Sequence, residues 1–212
     1  MKSSFDQPSS KAAASPGRGR PRCTDAHQAV LNAARKLLEE RGYGGVTMEG
    51  IARESGVGKP TIYRWWPTKG AIFREIYVLD GADFLGAKPA DDLEKDLRRL
   101  VRGLCKLYTT TPHGKALAGM FAEAQLDPRT RPDFASGLQS LREKGLQGAL
   151  KRAIERGELP KDHDLDLASD TLFGPILYRL MNEGRPLNRA FADAVVDGYL
   201  RGLTAWKKPA KA

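Results

Sequence analysis

The C-terminal stretch places the strongest constraint on the fold. Phe191, Ala194, Val195, Gly198, Tyr199, Gly202, Leu203 and Trp206 lie at offsets of 0, 3, 4, 7, 8, 11, 12 and 15 residues, the period of one α-helical face. The same period recurs at Val30, Ala33, Ala34, Leu37 and Leu38, and again at Leu93, Leu97, Leu100, Val101, Leu104 and Tyr108. No segment sustains the period-two alternation of a half-buried strand, and there is no internal repeat. The expected fold is all-α, with about nine helices: an N-terminal three-helix helix-turn-helix domain and a larger C-terminal helical bundle.

Capping and breaking residues divide the chain. Thr24 is a candidate N-cap for the first helix and Gly42 its stop. After a loop holding Gly44 and Gly45, Thr47 caps a second helix through about residue 55. Gly56-Val-Gly58 interrupts, and a third helix ends at Trp66-Pro67, because proline disfavours helical geometry in the residue before it. Thr68 caps a fourth helix, which runs toward Leu85. Beyond Pro89 the breaks fall at 109–112 and at Gly157 with Pro160, so 127–156 reads as one long helix and 166–182 as another. Residues 1–23 are rich in Ser, Ala, Pro and Gly without apolar periodicity, and are expected to form a disordered basic arm. The expected domains are therefore the arm at 1–23, a first helical domain at 24–85 and a second at 86–212.

The chain of 212 residues carries 35 Lys and Arg against 26 Asp and Glu, and this surplus is unevenly placed. Residues 1–77 hold 13 basic and 7 acidic side chains, and 55–74 has Lys59, Arg64, Lys69 and Arg74 with no acid. Such an end suits a polyanion. No window approaches the roughly 18 apolar residues of a spanning helix, so no membrane partner is expected. The N-terminus lacks the apolar core of a signal peptide, and Cys23 and Cys105 lack metal-ligand spacing. A soluble, cytoplasmic protein without a cofactor is the expectation.

The segment Thr47-Met-Glu-Gly-Ile-Ala-Arg-Glu-Ser-Gly-Val-Gly-Lys-Pro-Thr-Ile-Tyr-Arg-Trp-Trp66 has the form of a helix-turn-helix. Ala52 permits close approach of two helices, and Gly56 permits the left-handed backbone of a tight turn. Ile51, Val57 and Ile62 are free to plug the unit against the first helix. Lys59, Pro60, Thr61, Tyr63 and Arg64 remain on an exposed side that offers charge, hydroxyls and an apolar face, which suits a major groove. Of Trp65 and Trp66, one is expected in the core and the other near a phosphate, and the pattern alone does not say which.

With Val46-Thr-Met48, Ile51-Ala52, Ser55-Gly-Val57, Lys59-Pro-Thr-Ile-Tyr-Arg64 and Trp66-Pro-Thr-Lys69, the stretch from about 24 to 85 resembles the DNA-binding domain of TetR-type repressors. The resemblance implies a recognition helix at 59–65, with Lys59, Pro60, Thr61 and Tyr63 at bases or neighbouring phosphates. It also implies that Thr47, Trp65 and Lys69 lie near the DNA backbone. Gly50, Gly58 and Gly70 depart from the usual pattern, and Gly50 and Gly70 should each weaken a helix by up to about 1 kcal/mol. Upstream, Gly17-Arg-Gly-Arg-Pro-Arg22 resembles an AT-hook core and the basic arms of this family. Two readings of it stay open: Arg18, Arg20 and Arg22 extended in an A·T-rich minor groove, or a solubilising tail with weak phosphate attraction.

For 86–212 the resemblance implies an effector cavity and a dimer interface. Candidate wall residues are Leu104, Tyr108, Phe121, Leu141 and Phe173, with Leu97, Val101, Cys105, Met120 and Leu138 beside them. The last helix and that at 166–182 are expected to pair across a twofold in a four-helix bundle. The implied function is a ligand-responsive transcriptional regulator, a homodimeric repressor that binds a palindromic double-stranded DNA operator and is released by a small-molecule effector. One alternative is a nonspecific architectural DNA-binding protein. Another is an enzyme using Cys105 or His113, for which the chain offers no Gly-x-Ser-x-Gly, phosphate loop or His-Glu-x-x-His. His163 among Asp162, Asp164 and Asp166 raises a metal site, but these residues lack the spacing a metal demands.

Overall fold

The computed structural model describes residues 20–85, 89–182 and 185–205, and among these every regular element is helical. Ten α-helices follow in order. They are α1 (Arg20–Gly45), α2 (Met48–Ser55), α3 (Lys59–Trp65), α4 (Lys69–Leu85), α5 (Leu93–Thr110), α6 (His113–Leu126), α7 (Arg131–Leu141), α8 (Gly148–Glu155), α9 (Leu165–Asn182) and α10 (Arg189–Ala205).

Two boundaries differ from expectation. The described part of α1 is already helical at Arg20, so Thr24 lies inside it. The backbone breaks within α1 at Gly42, where φ is +66°. The expected helix at 127–156 is divided: a 3-10 turn at Pro128–Thr130 precedes α7, and a π-helical turn at Arg142–Gln147 separates α7 from α8, giving ten helices instead of nine. Asp127 caps the 3-10 turn by accepting from the Arg129 amide at 3.0 Å, and Pro128 and Pro132 each remove a backbone donor there. Gly157 does stop α8, in a Schellman arrangement: the Glu158 amide donates to the Ala153 carbonyl at 2.9 Å.

Two apolar cores result. Val30, Leu31, Ala34, Leu37 and Leu38 of α1 pack with Ile51 of α2, Ile62 of α3 and Ile72, Phe73 and Ile76 of α4, joined by Ala116 and Met120 of α6. The second core gathers the buried face of α5 with Leu150 of α8, Leu172, Phe173 and Ile176 of α9, and Ala192, Val196 and Tyr199 of α10. Helix α4 joins the two, since its Tyr77 belongs to the second core. Ion pairs fasten α10 along α5: Arg98 to Asp197 at 2.5 Å and Arg102 to Asp193 at 2.6 Å. Asp96, fully buried, accepts from the Ala90 amide at 2.8 Å and from Arg99 and Arg152 at 2.5 and 3.2 Å, tying α5 to α8. A buried carboxylate is tolerable only when so satisfied.

Candidate nucleic-acid interface

The helix-turn-helix is built from its caps inward. Thr47 has extended backbone, and its Oγ1 accepts from the Gly50 amide at 3.0 Å, satisfying one of the free donors at the start of α2. Gly50 is explained by proximity: a Cβ there would meet Thr47 Oγ1 at 3.2 Å and Leu37 at 3.6 Å. Gly56 ends α2 at φ +68°, a left-handed conformation that a side chain disfavours, and the chain reverses into α3. Gly58 takes the N-cap of α3, and the Thr61 and Ile62 amides donate back to its carbonyl at 3.0 and 3.2 Å.

Ile62 anchors α3, at 1% exposure. Around it Lys59, Pro60, Tyr63 and Arg64 are exposed, and Thr61 and Trp65 are half-buried. Glu49 on α2 holds Lys59 at 3.4 Å, with both side chains more than half exposed. A pair so open to water is screened and contributes little, so Lys59 can exchange it for a phosphate. The Glu49 carboxyl is held below its usual range by its own backbone amide first and by Lys59 second.

The two tryptophans divide their roles. Trp66 is buried at 3% exposure, its amide donates to the Ile62 carbonyl at 2.8 Å, and its indole N–H donates to Glu75 at 2.7 Å. The other carboxylate oxygen of Glu75 lies 3.1 Å from His27 Nε2, and the His27 ring centre is 4.7 Å from Trp66 and 5.8 Å from Trp65. Glu75 of α4 thus joins α1 to the end of α3 and sets the pose of the exposed helix. Sequence reasoning missed both His27 and Glu75, because no local pattern connects residues on three helices.

The remaining cations selected from the sequence are placed differently. Lys69 is mostly buried: its ammonium pairs with Glu123 of α6 at 3.1 Å and lies 4.4 Å above the Tyr43 ring, so it fastens α4 to α6 and to the end of α1. Arg20 and Arg22 lie in the helical backbone of α1, not in an extended arm, while Arg18 falls outside the described residues, as does the arm through residue 19. Arg64 lies on the open side of α3.

The residues selected for a ligand wall do not converge on one space. Leu104 and Phe173 meet with Leu100, Val101, Leu146 and Leu172 around only about 10 Å³, room for a single water. Tyr108 is buried with its hydroxyl bonded to that of Tyr77, the rings parallel at 6.2 Å. Phe121 meets Phe134 edge-on at 5.4 Å. Leu141 closes α7, and its side chain lies outside the described residues. A larger cleft of about 290 Å³ opens instead among α1, α4, α6 and α7, lined by residues including Arg35, Phe73, Asp80, His113, Met120 and Phe134. Cys105 is buried and free, and burial raises its thiol pKa to about 11, far from a reactive thiolate. His163 bonds the Tyr199 hydroxyl at 2.7 Å. Among the described residues no cluster of three metal-binding side chains occurs, and no helix is long and apolar enough to cross a membrane.

Comparison with known proteins agrees with this geometry. Residues 30–76 match the model of bacterial regulatory proteins of the tetR family, and 88–199 match that of the tetracyclin repressor-like C-terminal domain. The uncharacterised HTH-type transcriptional regulator YdeS of Bacillus subtilis is 30% identical over 89% of this chain and 94% of its own. EthR of Mycolicibacterium smegmatis, also an HTH-type transcriptional regulator, is 26% identical over 82% of this chain and 78% of its own. Among solved structures, the TetR family transcription regulator SCO0332 superposes with a TM-score of 0.73 at 31% identity, over 84% of this chain and 98% of that one. The fold is shared by FadR of Bacillus subtilis, solved in complex with stearoyl-CoA, at a TM-score of 0.63 and 20% identity over 83% of this chain and 98% of that one. With both halves matched in order and the helix-turn-helix built as described, the chain belongs to the TetR family of bacterial transcriptional regulators.

Proposed function

We propose that the protein is a homodimeric repressor that reads a twofold-symmetric operator through Lys59, Pro60, Thr61, Tyr63 and Arg64, with Thr47 and Trp65 at the flanking backbone, and leaves it when a small molecule binds. The observation that carries this reading is α3 itself: it is anchored by Ile62 and braced through Trp66 and Glu75, and it presents exposed cations and hydroxyls with no acid of its own. Residues 24–85 supply the DNA-binding unit and 86–212 the regulatory one, with α4 shared between the two cores.

Dimerisation is supported by what the single chain leaves uncovered. On α9, Leu167, Thr171, Gly174, Pro175 and Tyr178 are exposed at helical spacing, and on α10 so are Ala194, Gly198 and Gly202. Small residues on α10 allow a second helix to come close, and a four-helix bundle across a twofold would cover both faces. The two copies of α3 then address half-sites about one DNA turn, roughly 34–36 Å, apart or at a related spacing. A ligand response is supported by the shared fold of FadR regulators solved with stearoyl-CoA and lauroyl-CoA.

Selection of bound sequences from random DNA with the purified protein tests this. Lys59→Ala and Tyr63→Ala should each weaken binding to the selected sequence by about 1–3 kcal/mol, roughly ten- to a hundredfold, with circular dichroism and dimer mass unchanged. Retained specific binding in both variants refutes the assignment. Sequence-independent binding with a steep salt slope points to an architectural protein instead.

A further inference from the structure

We propose that Asp133 of α7 is a positioning residue for the DNA-reading helix: from the larger unit it holds the joint between α3 and α4, and Gly70 makes room for it. The proposal rests on the DNA-reading role of α3 given above and deepens it.

The joint is short and stiff. Trp66 closes α3, Pro67 follows with its φ fixed by the ring, and Thr68 opens α4. Thr68 Oγ1 accepts from the Ala71 amide at 3.0 Å, which caps α4. The same hydroxyl has one proton to give, and Asp133 Oδ2 takes it. A bond from a hydroxyl to a carboxylate is of the stronger, charge-assisted kind. The next residue, Lys69, pairs with Glu123 of α6 at 3.1 Å. Two consecutive residues at the joint are therefore tied to helices within 88–199, the stretch that matches the C-terminal family model.

Gly70 departs from the usual family pattern, and its surroundings explain why. It is buried, and a Cβ on it would stand 3.2 Å from Asp133 Oδ2 and 3.3 Å from Asp133 Cβ, inside the 3.4 Å at which ordinary contact begins. Without that Cβ, α7 comes close enough for Asp133 to reach Thr68. One turn further on, Arg74 of α4 donates to Ser136 Oγ at 3.2 Å, and Phe134, the neighbour of Asp133, packs against both cores. The first turn of α7 is thus seated where the two units meet. A displacement of that turn acts on Thr68, and Pro67 passes it over a single residue to Trp66, whose amide is bonded to the Ile62 carbonyl at 2.8 Å. Glu75 holds the Trp66 indole and Asp133 holds Thr68, so loss of the second tie leaves the joint fastened at one end. The pose of α3 then loosens against half-sites that demand a set spacing.

The test uses the full chain, a labelled operator obtained by selection and a scrambled duplex of the same length, titrated by fluorescence anisotropy at one salt concentration, with chemical denaturation alongside. Asp133→Ala should weaken operator binding about tenfold and leave binding of the scrambled duplex within about twofold of wild type. Charge alone predicts the opposite sign, since removing an acid favours a polyanion. Asp133→Asn removes the same charge but keeps an acceptor for Thr68, and should bind operator within about threefold of wild type. Gly70→Ala keeps both polar groups and crowds them; it should stay folded, alanine being the better helix former, and lose operator affinity severalfold. The proposal is overturned if folded Asp133→Ala binds operator as wild type does, if operator and scrambled duplex weaken equally, or if Asp133→Asn loses as much as Asp133→Ala. Unchanged operator binding by Gly70→Ala overturns it as well. If wild type selects no sequence, the recognition role of α3 falls and the positioning role with it. If wild type selects an operator that every variant binds alike, only the positioning role fails.

Discussion

Gly119→Ala measures how tightly the two units are coupled. Gly119 of α6 faces Tyr43 at the end of α1, and a Cβ there would sit 2.5 Å from Tyr43 Cβ and Cδ1. Ordinary contact begins at 3.4 Å, so the ring must retreat by roughly 0.9 Å. The Tyr43 hydroxyl donates to Glu123 at 2.7 Å, and Glu123 also holds Lys69, so the displacement reaches three groups that link α1, α6 and α4. Replacing a helical glycine by alanine gains about 1 kcal/mol. Overpacking costs about 1–3 kcal/mol, and a misaligned hydrogen bond to a carboxylate about 1.5–3 kcal/mol. The net expectation is a destabilisation of about 1.5–5 kcal/mol, with Tm lowered by roughly 2–4 °C for each kcal/mol. Operator affinity should change with it, because Tyr43 belongs to the core that seats α2 and α3. Denaturant unfolding and operator titration read both quantities. Gly137→Ala is the control, since its added Cβ meets only ordinary contacts, and it should gain up to about 1 kcal/mol. If Gly119→Ala is stabilised as the control is and binds operator normally, the coupling through Tyr43 is refuted.

Other consequences are simpler. Ile62→Ala removes the buried anchor of α3 and should cost about 2–5 kcal/mol, read by chemical denaturation; a loss under 1 kcal/mol contradicts the burial. Gly198→Leu adds a side chain where nothing lies within 4 Å in the single chain, so helicity should hold while sedimentation shows loss of the dimer. An intact dimer would place the interface elsewhere. His113 is held below its ordinary pKa of 6.5, chiefly by burial, so the unfolded chain takes up its proton first on acidification. Stability should therefore fall as pH drops below 6.5, and His113→Leu should flatten that component of the profile; parallel profiles for the two proteins would count against it.

Some of the site was legible because it is local. A cap, a left-handed glycine and a helical face each occupy a few consecutive residues, which is why Thr47, Gly56, the buried Ile62 and the exposed Lys59, Pro60, Tyr63 and Arg64 stand where their spacing placed them. The brace of α3 was not legible, because Glu75, His27 and Trp66 meet only after three helices pack. Trp65 and Trp66 have the same chemistry, and their different burial follows from the turn at Pro67, where α3 ends and α4 folds back.

The sequence by itself determined the all-helical class, the order of the helices and the presence of a helix-turn-helix, since periodicity and capping are properties of neighbouring residues. Tertiary structure decided what each apolar or charged face meets. On α10 the stripe through Ala194, Gly198 and Gly202 is open, whereas Ala192, Val196 and Tyr199 are the residues buried against the chain's own core. A helix apolar on two sides carries no mark that tells an internal partner from an external one. Lys69 likewise looked like a phosphate ligand until Glu123 and Tyr43 arrived beside it from other helices. The cleft at His113 exists only where four helices fail to fill the space between them, and packing of that kind depends on the whole arrangement, not on any one segment.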